Sequence, residues 1–183
     1  MSAQLTKASW AMAILLIAQF SRGVAASEAL FGAIDQHEEP AAIQMVREGR
    51  ADPNARNAQG DTPIHRAVET GMRRLLEALL ARGADAGART KNGEAALHLA
   101  ALHPEPAFTD ILLRAGADPR ARNADGESPL HWAALSGHIV VAQRLLARGA
   151  DPRQKTRAGL TARDYARREG HGEIARLLER LDQ

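Results

Sequence analysis

The chain has 183 residues, of which 45% are hydrophobic and 25% are charged, and it contains no cysteine. Without cysteine, disulfides and lipid attachment through a thiol are both excluded, so the fold must be held together by packing. The 24 basic and 22 acidic residues nearly balance, which gives no argument for nucleic-acid binding.

The first 26 residues have the pattern of a secretory signal peptide. Lys7 lies in a basic segment, about a dozen apolar residues follow, and residues 24–26 form a small-residue cleavage site. The 14 uncharged residues between Lys7 and Arg22 are too few for the roughly 20 that span a membrane. We therefore predict cleavage after Ala26. An uncleaved N-terminal anchor is the alternative, because Arg22 lies close to the cleavage site.

Processing would change the charge of the chain. Loss of residues 1–26 removes Lys7 and Arg22 and no acid, so the mature chain would carry equal numbers of basic and acidic residues. Acidic residues nevertheless predominate in 27–52, and basic residues predominate in 150–168. The alanine-rich and arginine-rich composition is typical of a bacterial protein. We therefore expect the mature chain in the periplasm or outside the cell.

Two phrases recur through the remaining sequence with a period of 33 residues. The first phrase, of which Gly-Glu-Ser-Pro-Leu-His at 126–131 is one copy, begins at Gly60, Gly93, Gly126 and Gly159. The second phrase, Gly-Ala-Asp, begins at Gly83, Gly116 and Gly149. Self-similarity at a fixed period indicates a stacked solenoid, whose usual role is binding rather than chemistry.

The phrase and the period resemble the ankyrin repeat, from about Glu28 to the C-terminus. The resemblance implies an all-α solenoid of about five helix pairs joined by short β-hairpin loops. The expected domain, 27–183, divides into an N-terminal cap at about 28–56, repeats at about 57–89, 90–122 and 123–155, and a C-terminal cap repeat at about 156–183. Polar outer faces on the two caps would keep a finite stack soluble.

Residues 57–90 show how one repeat is built. Thr62 is a favoured N-cap and Pro63 takes the first helical position, where a missing N–H costs nothing. Gly71 ends the first helix, and a leucine-rich second helix ends at Gly83. The unit at 90–122 departs from this pattern, because Ala95 replaces the cap residue.

A second departure of the same unit concerns the loop between its helices. Pro104 stands in the column of Gly71, Gly137 and Gly170. Proline cannot adopt the left-handed conformation, so we predict that this loop follows another path. The missing cap would cost about 1 kcal/mol, and the unit at 90–122 is predicted to be the weakest.

No catalytic motif is present, and we expect no enzyme activity, no cofactor and no metal. The histidines His65, His98 and His131 recur once per repeat, which permits a metal-binding interpretation. The ankyrin resemblance instead implies structural histidines that bond to backbone in the neighbouring loops. His138 and His171 resemble the structural Gly-His of that family.

A basic column precedes the predicted hairpin turns, and an acidic column follows the turn glycines. The basic column is Arg56, Arg89, Arg122 and Lys155, and the acidic column is Asp61, Glu94 and Glu127. Because residues that flank a tight turn face each other, we predict the pairs Arg56–Asp61, Arg89–Glu94 and Arg122–Glu127. These pairs either contribute well under about 1 kcal/mol each or form a charged ridge that contacts a partner.

Two further columns lie on the first helices. They are Arg66, Leu99, Trp132 and Tyr165, and, three residues later, Glu69, Leu102, Leu135 and Arg168. Their middle members would form an apolar patch in the concave groove where ankyrin proteins commonly hold partners, although Leu99 and Trp132 could instead be packed between helices. The predicted partner-binding residues are Leu99, Leu102, Trp132, Leu135, Tyr165, Arg56, Arg89, Arg122 and Lys155.

These features predict a non-catalytic module that binds a protein partner and is a monomer when free. No nucleic-acid partner and no membrane span after signal cleavage are expected. An inhibitor or immunity protein that acts on a secreted enzyme or toxin is one alternative. A structural scaffold that bridges envelope components is an alternative of another class.

Overall fold

The computed structural model describes residues 23–181, and most of the predicted signal peptide lies outside the described residues. Ten helices follow one another in this part of the chain. They are α1 (residues 23–35 of the described part), α2 (Glu39–Arg47), α3 (Pro63–Glu69), α4 (Arg73–Ala81), α5 (Ala96–Ala101), α6 (Ala107–Arg114), α7 (Pro129–Leu135), α8 (Ile139–Ala147), α9 (Ala162–Arg168) and α10 (Gly172–Leu181). The all-α repeat fold is confirmed.

The helices form two layers. The first helices α3, α5, α7 and α9 each pack against the next, and so do the second helices α2, α4, α6, α8 and α10. Each first helix from α3 onward also packs against the second helix of its own unit. Leucine and alanine fill the space between the layers, with Leu76, Leu112 and Leu145 fully buried. Such pairs bury their apolar surface against neighbouring units.

Caps and glycines set the helix ends where the sequence predicts them. Thr62 is the N-cap of α3, in extended conformation, and Pro63 follows at the first helical position. Gly71 has φ of 75°, a left-handed conformation in which glycine is favoured because it has no Cβ. Within residues 23–181 the turns contain isolated antiparallel bridges, at Arg89–Ala95 and Lys155–Thr161, and no longer strand.

The unit at 90–122 has a different loop, as predicted. Residues 102–106 connect α5 and α6, whereas only three residues, 70–72 or 136–138, connect the helices of the two flanking units. Helix α5 ends at Ala101, so Leu102 is a C-cap, and Pro106 is the N-cap of α6. Proline at 104 therefore lengthens the loop and shortens both adjoining helices.

No helix in residues 23–181 is long and apolar enough to cross a membrane. The predicted cleavage position, between Ala26 and Ser27, lies within α1, where the Ser27 hydroxyl donates to the Gly23 carbonyl at 2.9 Å.

Candidate protein-binding surface

The three repeated histidines join neighbouring units through hydrogen bonds to backbone. His65 Nε2 bonds the Glu94 carbonyl at 3.1 Å, His98 Nε2 bonds that of Glu127 at 3.1 Å, and His131 Nε2 bonds that of Leu160 at 3.2 Å. The family's structural role is confirmed for these residues. Across the described residues, no group of three or more His, Cys, Asp or Glu is placed to hold a metal.

Each of these histidines is neutral near pH 7. In His98, Nδ1 accepts the Ala95 N–H at 3.0 Å, so the proton must lie on Nε2, which donates to the next turn. Burial lowers the pKa of His98 to about 4, and burial also lowers the pKa of His65 and of His131. A neutral imidazole whose two ring nitrogens both make hydrogen bonds to the protein has a structural role.

The Gly-His histidines also bond backbone one unit away. His138 Nδ1 lies 3.1 Å from the Ala101 carbonyl, and His171 Nε2 lies 3.0 Å from the Leu135 carbonyl. These contacts join the ends of α5 and α7 to the inter-helix loop of the following unit. The predicted structural role is therefore confirmed.

The predicted arginine–acid pairs across the turns are wrong. The Asn57 N–H donates to the Asp61 carbonyl at 3.0 Å, so Asn57 rather than Arg56 lies opposite Asp61. The same register recurs at the other two turns, where Thr90 faces Glu94 and Asn123 faces Glu127. The side chains show the same register through hydrogen bonds. Asn57 Nδ2 lies 3.3 Å from Asp61 Oδ2, Thr90 Oγ1 lies 3.2 Å from Glu94 Oε2, and Asn123 Nδ2 lies 2.9 Å from Glu127 Oε2.

The arginines instead connect consecutive turns. Arg56 donates to the Arg89 carbonyl at 2.6 Å, Arg89 donates to the Arg122 carbonyl at 2.6 Å, and Arg122 donates to the Lys155 carbonyl at 2.8 Å. We call this series the arginine ladder. Its guanidinium groups stabilise the stack. In the part of the chain that the structure describes, the Lys155 side chain, at the end of the series, has no hydrogen bond or ion pair.

Glu127 holds the two aromatic side chains of the surface. Its carboxylate accepts Trp132 Nε1–H at 2.8 Å and the Tyr165 hydroxyl at 2.5 Å. Burial favours a higher pKa for Glu127, but the hydrogen bonds from Tyr165, Trp132 and Asn123 outweigh it and lower the pKa. Burial and the bond to Glu127 raise the pKa of Tyr165 to about 12. Sequence reasoning missed this cluster, because Tyr165 lies 38 residues from Glu127.

The same contacts fix the orientation of the aromatic rings. The ring of Trp132 stands edge-on to His98 and that of Tyr165 stands edge-on to His131, each with centroids 5.4 Å apart. Leu99, Trp132 and Tyr165 are half-buried against the core. Because Trp132 and Tyr165 both reach Glu127 in the turn, these two side chains lie between the first helices and the turns.

Leu102 and Leu135 are the exposed part of this surface. Leu102 is 42% exposed and Leu135 is 41% exposed, whereas most large apolar side chains in the described residues are buried. We call Leu99, Leu102, Trp132, Leu135 and Tyr165 the first-helix patch. Its members come from three adjacent units, whose first helices α5, α7 and α9 pack side by side. Exposed patches of this kind mark interaction sites.

The two ends of this surface differ in charge. Near the N-terminal end, Arg66 lies 2.7 Å from the Asp35 carboxylate and also pairs with Glu69. Near the C-terminal end, Arg168 and Lys155 are exposed, and neither pairs with a carboxylate among the described residues. The C-terminal end of this surface therefore carries positive charge that no carboxylate of the described residues neutralises.

A cavity of about 850 Å³ lies at the N-terminal end, between α1 and residues 52–58. Val24, Phe31, Asp35, Asp52 and Arg56 contribute to its lining. Sequence reasoning missed this cavity, because it depends on how α1 is placed against a loop two dozen residues away. The predicted cleavage would remove Val24 from its wall.

The sequence model described as Ankyrin repeats (3 copies) matches residues 30–122 and 97–182. The chain belongs to the ankyrin repeat family. Ankyrin repeats generally serve as protein–protein interaction modules, and the family is typically non-catalytic. No curated protein matches this chain. The histidine bonds between units and the glycine-ended helices are features of such a repeat stack.

Proposed function

We propose that this ankyrin protein is a non-catalytic binding module that acts after export, as a monomer when free, and holds one protein partner on the first-helix patch. The observation that carries the proposal is the exposure of Leu102 and Leu135, at 42% and 41%. Both side chains lie at the ends of first helices, where neither contributes to the buried core.

The composition of the patch supports this role. An aromatic side chain held in a fixed orientation and flanked by exposed leucines is typical of the centre of a protein interface. Trp132 and Tyr165 lose little conformational freedom on binding, because the Glu127 carboxylate already holds them. The arginines of the ladder already bond carbonyls, so Lys155 is the residue of the basic column most available to a partner.

The test compares partner binding by mature wild-type protein (residues 27–183) with that of the double variant Leu102→Glu/Leu135→Glu. A matched control is Val140→Glu on the second helix α8, since Val140 is exposed to the same degree, 43%. We expect the double variant to lose at least about 2 kcal/mol of binding free energy. Its stability should change by no more than about 0.5 kcal/mol per site.

The opposite result would place the site elsewhere. If Val140→Glu abolishes binding and the double variant retains it, the partner contacts the second helices. Stoichiometry and activity then separate the possible roles. A one-to-one complex that abolishes the partner's enzymatic activity identifies an inhibitor or immunity protein, and simultaneous binding of several envelope proteins identifies a scaffold.

Export is tested separately by N-terminal sequencing of the protein recovered from bacterial cells. We expect the mature chain to begin at Ser27 and to be released with the periplasmic fraction. Serine is a favoured N-cap, so the predicted new terminus can begin α1. A membrane-bound product that retains Met1 would contradict the export proposal while leaving the binding surface untouched.

A further inference from the structure

The outer edge of the first-helix surface is a row with one side chain per unit. This row, which we call the outer row, consists of Glu69, Leu102, Leu135 and Arg168. Its order is acidic, apolar, apolar and basic. Arg66 pairs with Glu69 and with Asp35, so that one positive charge is shared between two carboxylates, whereas Arg168 has no carboxylate partner among the described residues. A ligand therefore meets two apolar positions and then one free positive charge.

The spacing of the row follows from helix packing. The first helices α3, α5, α7 and α9 pack side by side in order, and packed helices lie about 8–10 Å apart. Consecutive members of the outer row should therefore be about 8–10 Å apart. A ligand that crosses the units must present its contact groups with that period.

An α-helix has nearly this period. Seven residues of helix advance about 10.5 Å and return to the same face with a drift of only about 20°. A β-strand matches the distance with three residues, about 10 Å, but those residues point to opposite faces. An extended segment therefore cannot present every third residue to the row.

We propose that the outer row binds an amphipathic helix of the partner, laid across the units. Two apolar side chains seven residues apart would contact Leu102 and Leu135, and a carboxylate about seven residues further would lie beside Arg168. Lys155, which is exposed at the turn that precedes α9, would add to the positive potential at that end of the stack. This inference rests on the proposed function, since it specifies the ligand of the same surface.

The experiment is a selection of displayed 21-residue peptides, randomised in sequence, on immobilised mature protein. Parallel selections use Arg168→Glu and Leu135→Glu. We expect the peptides enriched on wild type to carry apolar residues seven apart with aspartate or glutamate at one end, and to gain helical circular dichroism on binding. Arg168→Glu should weaken these peptides about tenfold, an effect that decreases with salt, and should enrich lysine or arginine at that end instead.

The outcomes separate this inference from the proposed function. Enriched peptides that bind Leu135→Glu as well as wild type would place binding elsewhere and contradict both. The enriched peptides could instead require Leu135 but lack the seven-residue spacing, bind in an extended conformation, or bind Arg168→Glu as tightly as wild type. Any of these results would contradict the helical ligand and leave the proposed function standing. Tighter binding of a single-stranded DNA oligonucleotide than of any peptide, with the same dependence on Arg168, would also overturn it.

Discussion

The neighbouring units at 90–122 and 123–155 differ in their local helix signals and agree in their packing. Ala95 stands where Ser128 caps α7, and five residues rather than three connect the helices of the earlier unit. Their core columns are nevertheless equally buried, with Leu97 and Leu130 both at 0% exposure. The difference lies at the ends of the helices and not in the layer between units.

The contacts between units are preserved in the same way. His98 and His131 each bond a carbonyl of the following turn, at 3.1 and 3.2 Å. A unit can therefore lose a cap and a loop glycine and still hold its place in the stack, because the neighbouring units supply most of its interactions. Helix caps and loops therefore tolerate changes in sequence that the buried positions between units do not.

The largest expected effect is the pH dependence of stability that comes from the buried histidines. Burial lowers the pKa of His98 to about 4, whereas a histidine in the unfolded chain titrates near 6.5. The unfolded chain therefore binds more protons between these values. The free energy of unfolding should be highest above about pH 6.5 and fall by up to about 3 kcal/mol for His98 as the pH drops to 4.

Urea unfolding measured from pH 7.5 to pH 4 tests this expectation. The variant His98→Asn keeps an acceptor for the Ala95 N–H but cannot titrate, so its stability should depend less on pH. His131→Asn should flatten the profile less, because the pKa shift of His98 is the larger one. An unchanged profile in His98→Asn would show that other groups control acid unfolding.

The arginine ladder distinguishes the two units on their turn side. Arg89 donates to the Gly93 and Arg122 carbonyls, at 3.0 and 2.6 Å, whereas Arg122 has one such bond, to Lys155. Arg89→Ala should therefore cost about 1–2 kcal/mol and Arg122→Ala about 1 kcal/mol. Lys155→Ala, the control, should stay within about 0.5 kcal/mol. Equal losses for all three in urea unfolding would mean that the ladder does not stabilise the stack.

The helices, the caps and the altered loop at 102–106 could be predicted because each depends on residues within one period, and the histidine bonds between units could be predicted from the resemblance to the ankyrin repeat. The turn register could not. A pair such as Arg56–Asp61 differs from the observed Asn57–Asp61 by one residue, and both are chemically reasonable. The hydrogen bonds of Trp132 and Tyr165 to Glu127 could not be predicted either, since Tyr165 approaches Glu127 from the following unit. Contacts between units that the family resemblance does not supply depend on the stack and not on local pattern.

Local opening should be easier in the unit at 90–122. Its first helix has six residues and an alanine N-cap, whereas α7 has seven residues, a serine N-cap and a proline at its first position. In native-state hydrogen exchange, amides at 97–102 should open at about 1 kcal/mol less than those at 130–135. Equal or greater protection at 97–102 would show that packing alone determines local stability.

The smallest expected effect comes from exchanging the N-cap residues of the two units. The Ser128 hydroxyl lies 2.8 Å from His131 Nδ1, and the buried Ala95 occupies the same position one unit earlier. Ser128→Ala should lower the free energy of unfolding by about 0.5–1 kcal/mol. Ala95→Ser should raise it by a similar amount, because a hydroxyl at 95 can reach His98 as Ser128 reaches His131.

Urea unfolding of both variants and of wild type measures the two changes in the free energy of unfolding. The double variant shows whether these changes add. Units in direct contact often couple, so a departure from additivity would reveal how strongly α5 and α7 share the cost of a missing cap. If Ala95→Ser destabilises the protein, the backbone at 95 has already relaxed around alanine. The two units would then differ in the packing of their buried residues and not only at their helix ends.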